Sequence, residues 1–178
     1  MIIESIIGGL LIFTPIEKGP DYEQEIQQVA QAKCLADNMY FEARNQGTAG
    51  IIAVSNVVLN RVISDKYPDT ICGVIRQGPT RESWRIRQTE DPNDAVYHPI
   101  RHRCQFSWFC DGKPDTPQNR EMPVFNLCTM IAYVRLKSKE SVLPPDVYWY
   151  HAKSVDPYWA DAYSHKVTIG DHHFYSDR

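Results

Sequence analysis

Three features of the chain predict an α+β domain. Apolar residues recur at helical steps through the first third of the sequence and again from Pro123 onward. Short runs of strand-forming residues are confined to the end, after Pro144-Pro145, and turn residues punctuate the rest. Helices first and short strands later is the order of a segregated α+β fold, not of alternating βαβ units. At 178 residues, with 43% hydrophobic and 23% charged residues, the chain has the composition of one globular domain that can bury a core. Residues 1–178 therefore read as a single domain, with an N-terminal arm over 1–20 and a loop insertion over 78–104.

The arm is apolar from Ile2 to Phe13, yet Glu4 interrupts it and no Lys or Arg precedes it. It lacks the positive start of a signal peptide and the length of about 20 apolar residues that a membrane span needs. A segment packed on the domain is expected, with no stable membrane insertion. Gly19-Pro20 closes the arm, and Asp21 can cap the helix that follows. Tyr22, Ile26, Val29, Ala30, Cys34, Leu35 and Met39 recur at three- and four-residue steps, predicting a helix to about Ala43 with one buried stripe. Asn45 to Gly47 is the break, where glycine can take the left-handed conformation of a helix end.

A second helix is predicted over 48–63. Ile51, Ile52, Val54, Val57, Val58, Leu59 and Val62 cover more than one of its faces, which places it centrally. On it, Asn56 and Asn60 either tie loops to the helix or face solvent. Residues 78–104 hold Pro79, Pro92, Pro99 and five arginines largely offset by acids, and read as a solvated loop. Pro123 opens a third helix, to about Lys139, marked by Val124, Leu127, Cys128, Ile131 and Val134. Strands are predicted over 146–151 and 167–175, the second broken at a Gly170-Asp171 turn.

A net charge of −3 gives no footprint for nucleic acid. Five cysteines at irregular spacing do not suit a disulfide-built domain. Most are expected as thiols, with Cys34 and Cys128 as small apolar residues on helix faces, and a Cys104–Cys110 bridge as an alternative after export.

Glu42 stands out among the carboxylates. It follows Tyr40-Phe41 in the last predicted turn of the first helix. An acid that must protonate a leaving group near neutral pH needs its pKa raised by apolar surroundings, which such a position can supply. An ordinary surface glutamate is the plain alternative.

Tyr40-Phe41-Glu42-Ala43-Arg44 is followed by Ala53-Val54-Ser55-Asn56-Val57-Val58-Leu59-Asn60-Arg61-Val62 and Tyr67-Pro68-Asp69-Thr70-Ile71-Cys72. Then come Gln105-Phe106-Ser107-Trp108 and Ile169-Gly170-Asp171-His172-His173-Phe174-Tyr175. In this order the segments resemble the spore-cortex-lytic cell wall hydrolases of the SleB/CwlJ type, over residues 32–176. The resemblance implies a lysozyme-like catalytic core with its acid at the end of the first core helix. Peptidoglycan would be the partner, no cofactor would be required, and a monomer is expected. Two departures stand out. Residues 78–104 are longer than the family's link, and Asn45-Gln46 replaces its Gly-Glu, so a second acid close behind Glu42 is missing. Asp111 is the best substitute, or simply a turn residue before Gly112.

One carboxyl group is enough for a lytic transglycosylase, in which the same residue acts as acid and then base. Two would be expected of a hydrolysing muramidase. The resemblance further implies a sugar cleft, with Tyr40, Trp108, Tyr150 and Trp159 as stacking faces and Gln105, Ser107, His151 and His172 as hydrogen-bonding partners. Each aromatic also has a core role open to it. Arg44 either orients Glu42 or substrate, or caps the helix end.

No metal motif is present. His172 and His173 are adjacent and would point to opposite faces of a strand, so a zinc amidase or peptidase would need His98, His102, His151 or His165 to converge with them. A non-catalytic wall-binding or virion module is the remaining alternative. The expected setting is a phage endolysin, held in the host cytoplasm before it reaches the periplasm and wall; otherwise the cell wall or spore cortex.

Overall fold

The structure, a computed structural model, describes residues 6–7, 10–11, 20–83, 96–138 and 140–178. In the arm, β1 (Ile6–Ile7) pairs antiparallel with β2 (Leu10–Leu11); the expected packing of the arm on the domain lies outside the described residues.

Helix α1 (Pro20–Ala43) has its proline at the first position and Asp21 and Glu23 in the first turn, where carboxylates favour the helix dipole. Ala32, Leu35, Ala36, Met39, Tyr40 and Ala43 are buried, but Ile26 and Val29 are 50% and 51% exposed and Tyr22 is also exposed. The expected stripe is thus a core face only over the second half of the helix. A 24-residue helix is about 36 Å long, and its 16-residue neighbour α4 (Met122–Lys137) reaches only about 24 Å along it.

Gly47, at φ +64°, turns the chain from α1 into α2 (Gly47–Val62). Helix α2 contacts α1, α4, α3 (Ile71–Ile75) and the sheet strand β5 (Val147–Ala152), as its apolar circumference requires. Its buried polar side chains satisfy backbone that would otherwise be stranded. Asn56 Oδ1 accepts from the Val142 amide at 2.9 Å, and Asn60 Nδ2 donates to the carbonyls of Pro144 (2.8 Å) and Val147 (3.0 Å). Arg61 donates through Nε (2.9 Å) and Nη2 (2.6 Å) to the Tyr148 carbonyl. Of the two readings for Asn56 and Asn60, tying loops to the helix is the one observed.

Helix α3 was not anticipated: it is one short turn that starts at the end of the Tyr67–Cys72 motif, capped by Thr70 Oγ1, which accepts from Gly73 N at 3.1 Å. The 78–104 segment is not simply a loop. Its ends pair as an antiparallel ribbon, β3 (Thr80–Glu82) with β4 (Tyr97–Pro99), while Arg85 and Arg87 lie outside the described residues. At the C-terminal end, β6 (Ser164–Ile169) and β7 (His172–Ser176) form a hairpin around Gly170, φ +58°, and the sheet order is β5-β7-β6. Tyr150 pairs with Phe174 and Ala152 with His172, so these side chains share the face toward the helices; His151, His173 and Tyr175 share the opposite one.

The cysteine expectation needs correction. Cys34 is bonded to Cys72 (Cα–Cα 5.4 Å), which staples α1 to α3, and Cys104 is bonded to Cys110; Cys128 is free and buried. Spacing could not reveal the first bridge, because α3 brings together residues that are 38 apart. Cross-linking across that distance should stabilise the fold by roughly 4 kcal/mol through loss of unfolded-state entropy. Cys34→Ser with Cys72→Ser should therefore melt well below the wild type under non-reducing conditions. Equal melting temperatures would show that the two sulfurs are not joined. Cys128, whose thiol burial pushes up to about 11, should resist alkylation until the protein unfolds.

Candidate active site

Glu42 lies in the last turn of α1, half-buried, one residue before the helix ends. From the inner face of the sheet, the Tyr150 hydroxyl donates to Glu42 Oε2 at 3.0 Å. Burial raises the carboxyl's pKa above the ordinary value; the Tyr150 hydrogen bond and the positive charge of Arg61 partly oppose it. The phenol of Tyr150 is held well above its own usual value, first by burial and then by the neighbouring carboxylate, so it remains a donor. Arg61 is itself buried, with its guanidinium over the rings of Tyr67 (5.2 Å) and Phe106 (5.4 Å). Glu42 therefore combines a carboxyl that holds its proton more strongly than an ordinary glutamate with support for its ionised form.

Beside it, Phe41 and Trp108 stack with ring centres 4.6 Å apart, and Trp108 Nε1 donates to Asn38 Oδ1 at 3.0 Å. These rings line a concavity of 560 Å³ together with Asp111, Lys113, Asp115 and Thr116. Gln105 and Ser107, in the loop closed by Cys104–Cys110, are exposed on either side of buried Phe106. His172 is buried edge-on to Tyr150 at 5.2 Å, with Nδ1 lacking a protein partner.

Of the other expected site residues, Tyr40 and Arg44 border this concavity, whereas His151 and Trp159 lie elsewhere. Tyr40 is 2% exposed; its hydroxyl donates to the Glu121 carboxylate and accepts from Gln118 N at 3.2 Å, so the ring is core and offers no open stacking face. Arg44 points away from the acid. It pairs with Glu121 (3.3 Å), covers the Tyr40 ring and donates to the Phe41 carbonyl (3.4 Å), which makes it a helix-end residue. His151 and Trp159 lie against each other at 5.5 Å on the outer face of the sheet, opposite Tyr150, because consecutive strand residues alternate. Asp111 takes the expected turn role: its Oδ1 accepts from Lys113 N (2.8 Å), which holds its carboxyl below the usual range, and it also lines the concavity. Among the described residues, no group of three or more His, Cys, Asp or Glu is arranged to hold a metal ion. None of their helices is long and apolar enough to cross a membrane.

Sequence reasoning missed several supports. Asn38 is four residues before Glu42 and thus on its helix face, a signal that was there to be used. Gln46 is more than a missing acid. Its Oε1 accepts from the Asp171 amide at 2.7 Å and its Nε2 donates to Asn45 Oδ1 at 3.0 Å, clasping the β6–β7 turn. A side chain at Gly170 would meet that same Oε1 at 2.6 Å.

A helix-borne acid bonded to a strand of an antiparallel sheet, next to a stacked aromatic pair, defines an enzyme of lysozyme-like fold. Residues 45–175 match the sequence model of the Cell Wall Hydrolase family, and the chain belongs to that family, whose members degrade peptidoglycan. The match begins just beyond Glu42, so the role of that residue rests on its own geometry. The catalytic domain of the Bacillus cereus SleB protein superposes with a TM-score of 0.52 at 20% identity, covering 82% of this chain and 89% of that one. The catalytic domain of the germination-specific lytic transglycosylase SleB from Bacillus anthracis gives 0.53 at 19% identity, covering 92% and 100%. No curated protein matches the sequence significantly.

The raised pKa of Glu42 has a signature in stability. A protonated carboxyl is favoured in the fold at acid pH, and that stabilisation is lost as pH rises through the folded-state value. The Glu42→Gln variant has no such loss. It should melt at or above the wild type at neutral pH, with the gap closing as pH falls through the ordinary carboxylate range. A gap that widened toward acid pH would mean that the native state prefers the charged form.

Proposed function

We propose that this enzyme cleaves the glycan strand between N-acetylmuramic acid and N-acetylglucosamine as a lytic transglycosylase, acting as a monomer, with Glu42 as acid and then base. The observation that carries this reading is the half-buried Glu42 carboxyl, raised in pKa and held by Tyr150. The protonated carboxyl gives its proton to the bridging oxygen as the bond to the muramic anomeric carbon breaks. The resulting carboxylate, steadied by the Tyr150 hydroxyl and the charge of Arg61, takes the proton of the same sugar's 6-hydroxyl. That oxygen bonds to the anomeric carbon and closes a 1,6-anhydro ring. The proton ends where it began, and no water is consumed.

Gln46 supports ring closure over hydrolysis. The family's second acid is replaced by an amide, and that amide is committed to the β6–β7 turn. The tethered hydroxyl then competes with water at an effective concentration of up to about 10⁵–10⁸ M. Phe41–Trp108 and the exposed Gln105 and Ser107 are proposed to seat the sugars, with His172 supporting Tyr150 from behind. A hydrolytic muramidase is the second reading, favoured by one observation: Asp111 is held in its ionised range and lines the same concavity as Trp108. The proposed setting is that of a phage endolysin made in the host cytoplasm and working at the wall. The two disulfides suit the oxidising side of that journey.

Digestion of purified peptidoglycan followed by mass spectrometry of the muropeptides tests the reaction. Anhydro-muramic ends, lighter than reducing ends by one water, are expected. Reducing ends would assign water activation to a second carboxylate, and free stems with intact glycan would reject glycosidic cleavage. Glu42→Gln should reduce release by roughly 10²–10⁴-fold or more, and near wild-type release would remove Glu42 from the chemistry. Tyr150→Phe deletes a hydrogen bond that lowers the Glu42 pKa, so the pH at which activity falls on the alkaline side should move upward. An unmoved or lowered limb would show that this limb does not belong to Glu42.

A further inference from the structure

The face of the sheet turned away from Glu42 is built unlike an ordinary solvated strand face. An antiparallel sheet with one side on the core normally presents polar residues on the other. Here that other side is packed with rings. His151 stacks on Tyr175 at 5.3 Å, Trp159 meets Tyr175 edge-on at 5.7 Å, and Trp149 lies 4.0 Å from Tyr163. Of these, His151, Tyr163 and Tyr175 border a concavity of 630 Å³ together with His165 and His173, within the range of about 300–1,000 Å³ typical of small-ligand sites. Packing of the β5–β6 connection accounts for Trp149 and Tyr163. It does not account for His165, which is exposed, or for Tyr158, which is 97% exposed on the same connection.

The polar groups there narrow the ligand class. Lys153 and Arg178 are matched by Asp156 and Asp161, so the concavity has no charge excess to select a polyanion. The imidazoles are not poised for a metal. Both ring nitrogens of His151 are engaged, by the Ala152 carbonyl at 3.0 Å and the Tyr175 hydroxyl at 2.9 Å. His165 Nε2 (3.0 Å) and His173 Nδ1 (2.7 Å) share the hydroxyl of Thr168. Aromatic walls with donors and acceptors in balance match a neutral polyol: ring faces take its C–H surfaces, and the mixed rim takes its hydroxyl and acetamido groups.

We propose that this outer face is a second saccharide-binding site, which holds an N-acetylated glycan strand away from the catalytic carboxyl. The inference rests on the peptidoglycan reading above and adds a site to it. Its effect is retention: an enzyme tethered to an insoluble polymer by a second contact meets its next bond at raised local concentration.

The test uses the full chain carrying Glu42→Gln, so that bound glycan is not cleaved, with chitotetraose and insoluble peptidoglycan as probes. In heteronuclear NMR, chitotetraose should shift two separate sets of signals, one around Trp108 and one around Tyr175, His165 and His173. Adding Lys153→Ala and His165→Ala, both at exposed positions, should abolish the second set, leave the first, and lower co-sedimentation with peptidoglycan by roughly tenfold. In the otherwise wild-type enzyme the same pair should slow lysis of whole sacculi several-fold while leaving turnover of soluble glycan chains unchanged. Trp159→Phe, which keeps a ring, should weaken the second set without loss of fold. Shifts confined to the Trp108 side, or unchanged co-sedimentation, would overturn the second site. If the wild type releases muropeptides normally in that case, only this inference fails; if it releases none, the failure lies with the proposed function.

Discussion

The hydrogen bond from Tyr150 to Glu42 joins residues 108 apart in sequence, and much of the fold can be understood as what keeps those two side chains together. Glu42 sits where α1 stops, and the chain turns into α2 at Gly47, which takes a conformation closed to most residues. Tyr150 can face it only if β5 has one register and not its neighbour, since a slip of one residue would present His151 instead. That register is held from within the core. Asn60 and Arg61 on α2 donate to the carbonyls of Pro144, Val147 and Tyr148, tying down the strand just before Tyr150. Gln46 does the same for the β6–β7 turn, and Cys34–Cys72 holds the other flank of α1.

The same arrangement sets the chemistry. Burial alone would leave Glu42 a good acid and a poor carboxylate. The Tyr150 hydroxyl and the nearby charge of Arg61 favour the ionised form, so both states of the residue have support. Arg61 is kept buried by cation–π contact with Tyr67 and Phe106 and by its bonds to the Tyr148 carbonyl. One residue thereby serves both strand register and site electrostatics, and replacing it would disturb the two together.

What was legible in the sequence followed periodicity and turn residues. The buried half of α1, the central α2, the start of α4 and the Gly170 hairpin all carry local signals strong enough to read. Glu42 was legible through its aromatic neighbours. The failures share a cause, which is that they depend on long-range placement. Tyr40 and Glu42 are two apart on a helix and point about 200° apart, so both could not face one cleft, yet the motif invited reading them together. His151 and Trp159 were grouped with Tyr150 although strand alternation sends His151 to the other face. Cys34–Cys72 required α3, whose single turn is too short to show a period.

Burial holds the Glu42 carboxyl above the ordinary glutamate value, and the proposed chemistry depends on it. The most direct measurement is a carbon-detected NMR titration of the glutamate side chains in the wild-type protein, with Glu42 assigned by its absence in Glu42→Gln. The account predicts that the Glu42 carboxyl titrates above the usual glutamate value. A Glu42 carboxyl that titrates at the usual glutamate value, or below it, would contradict it.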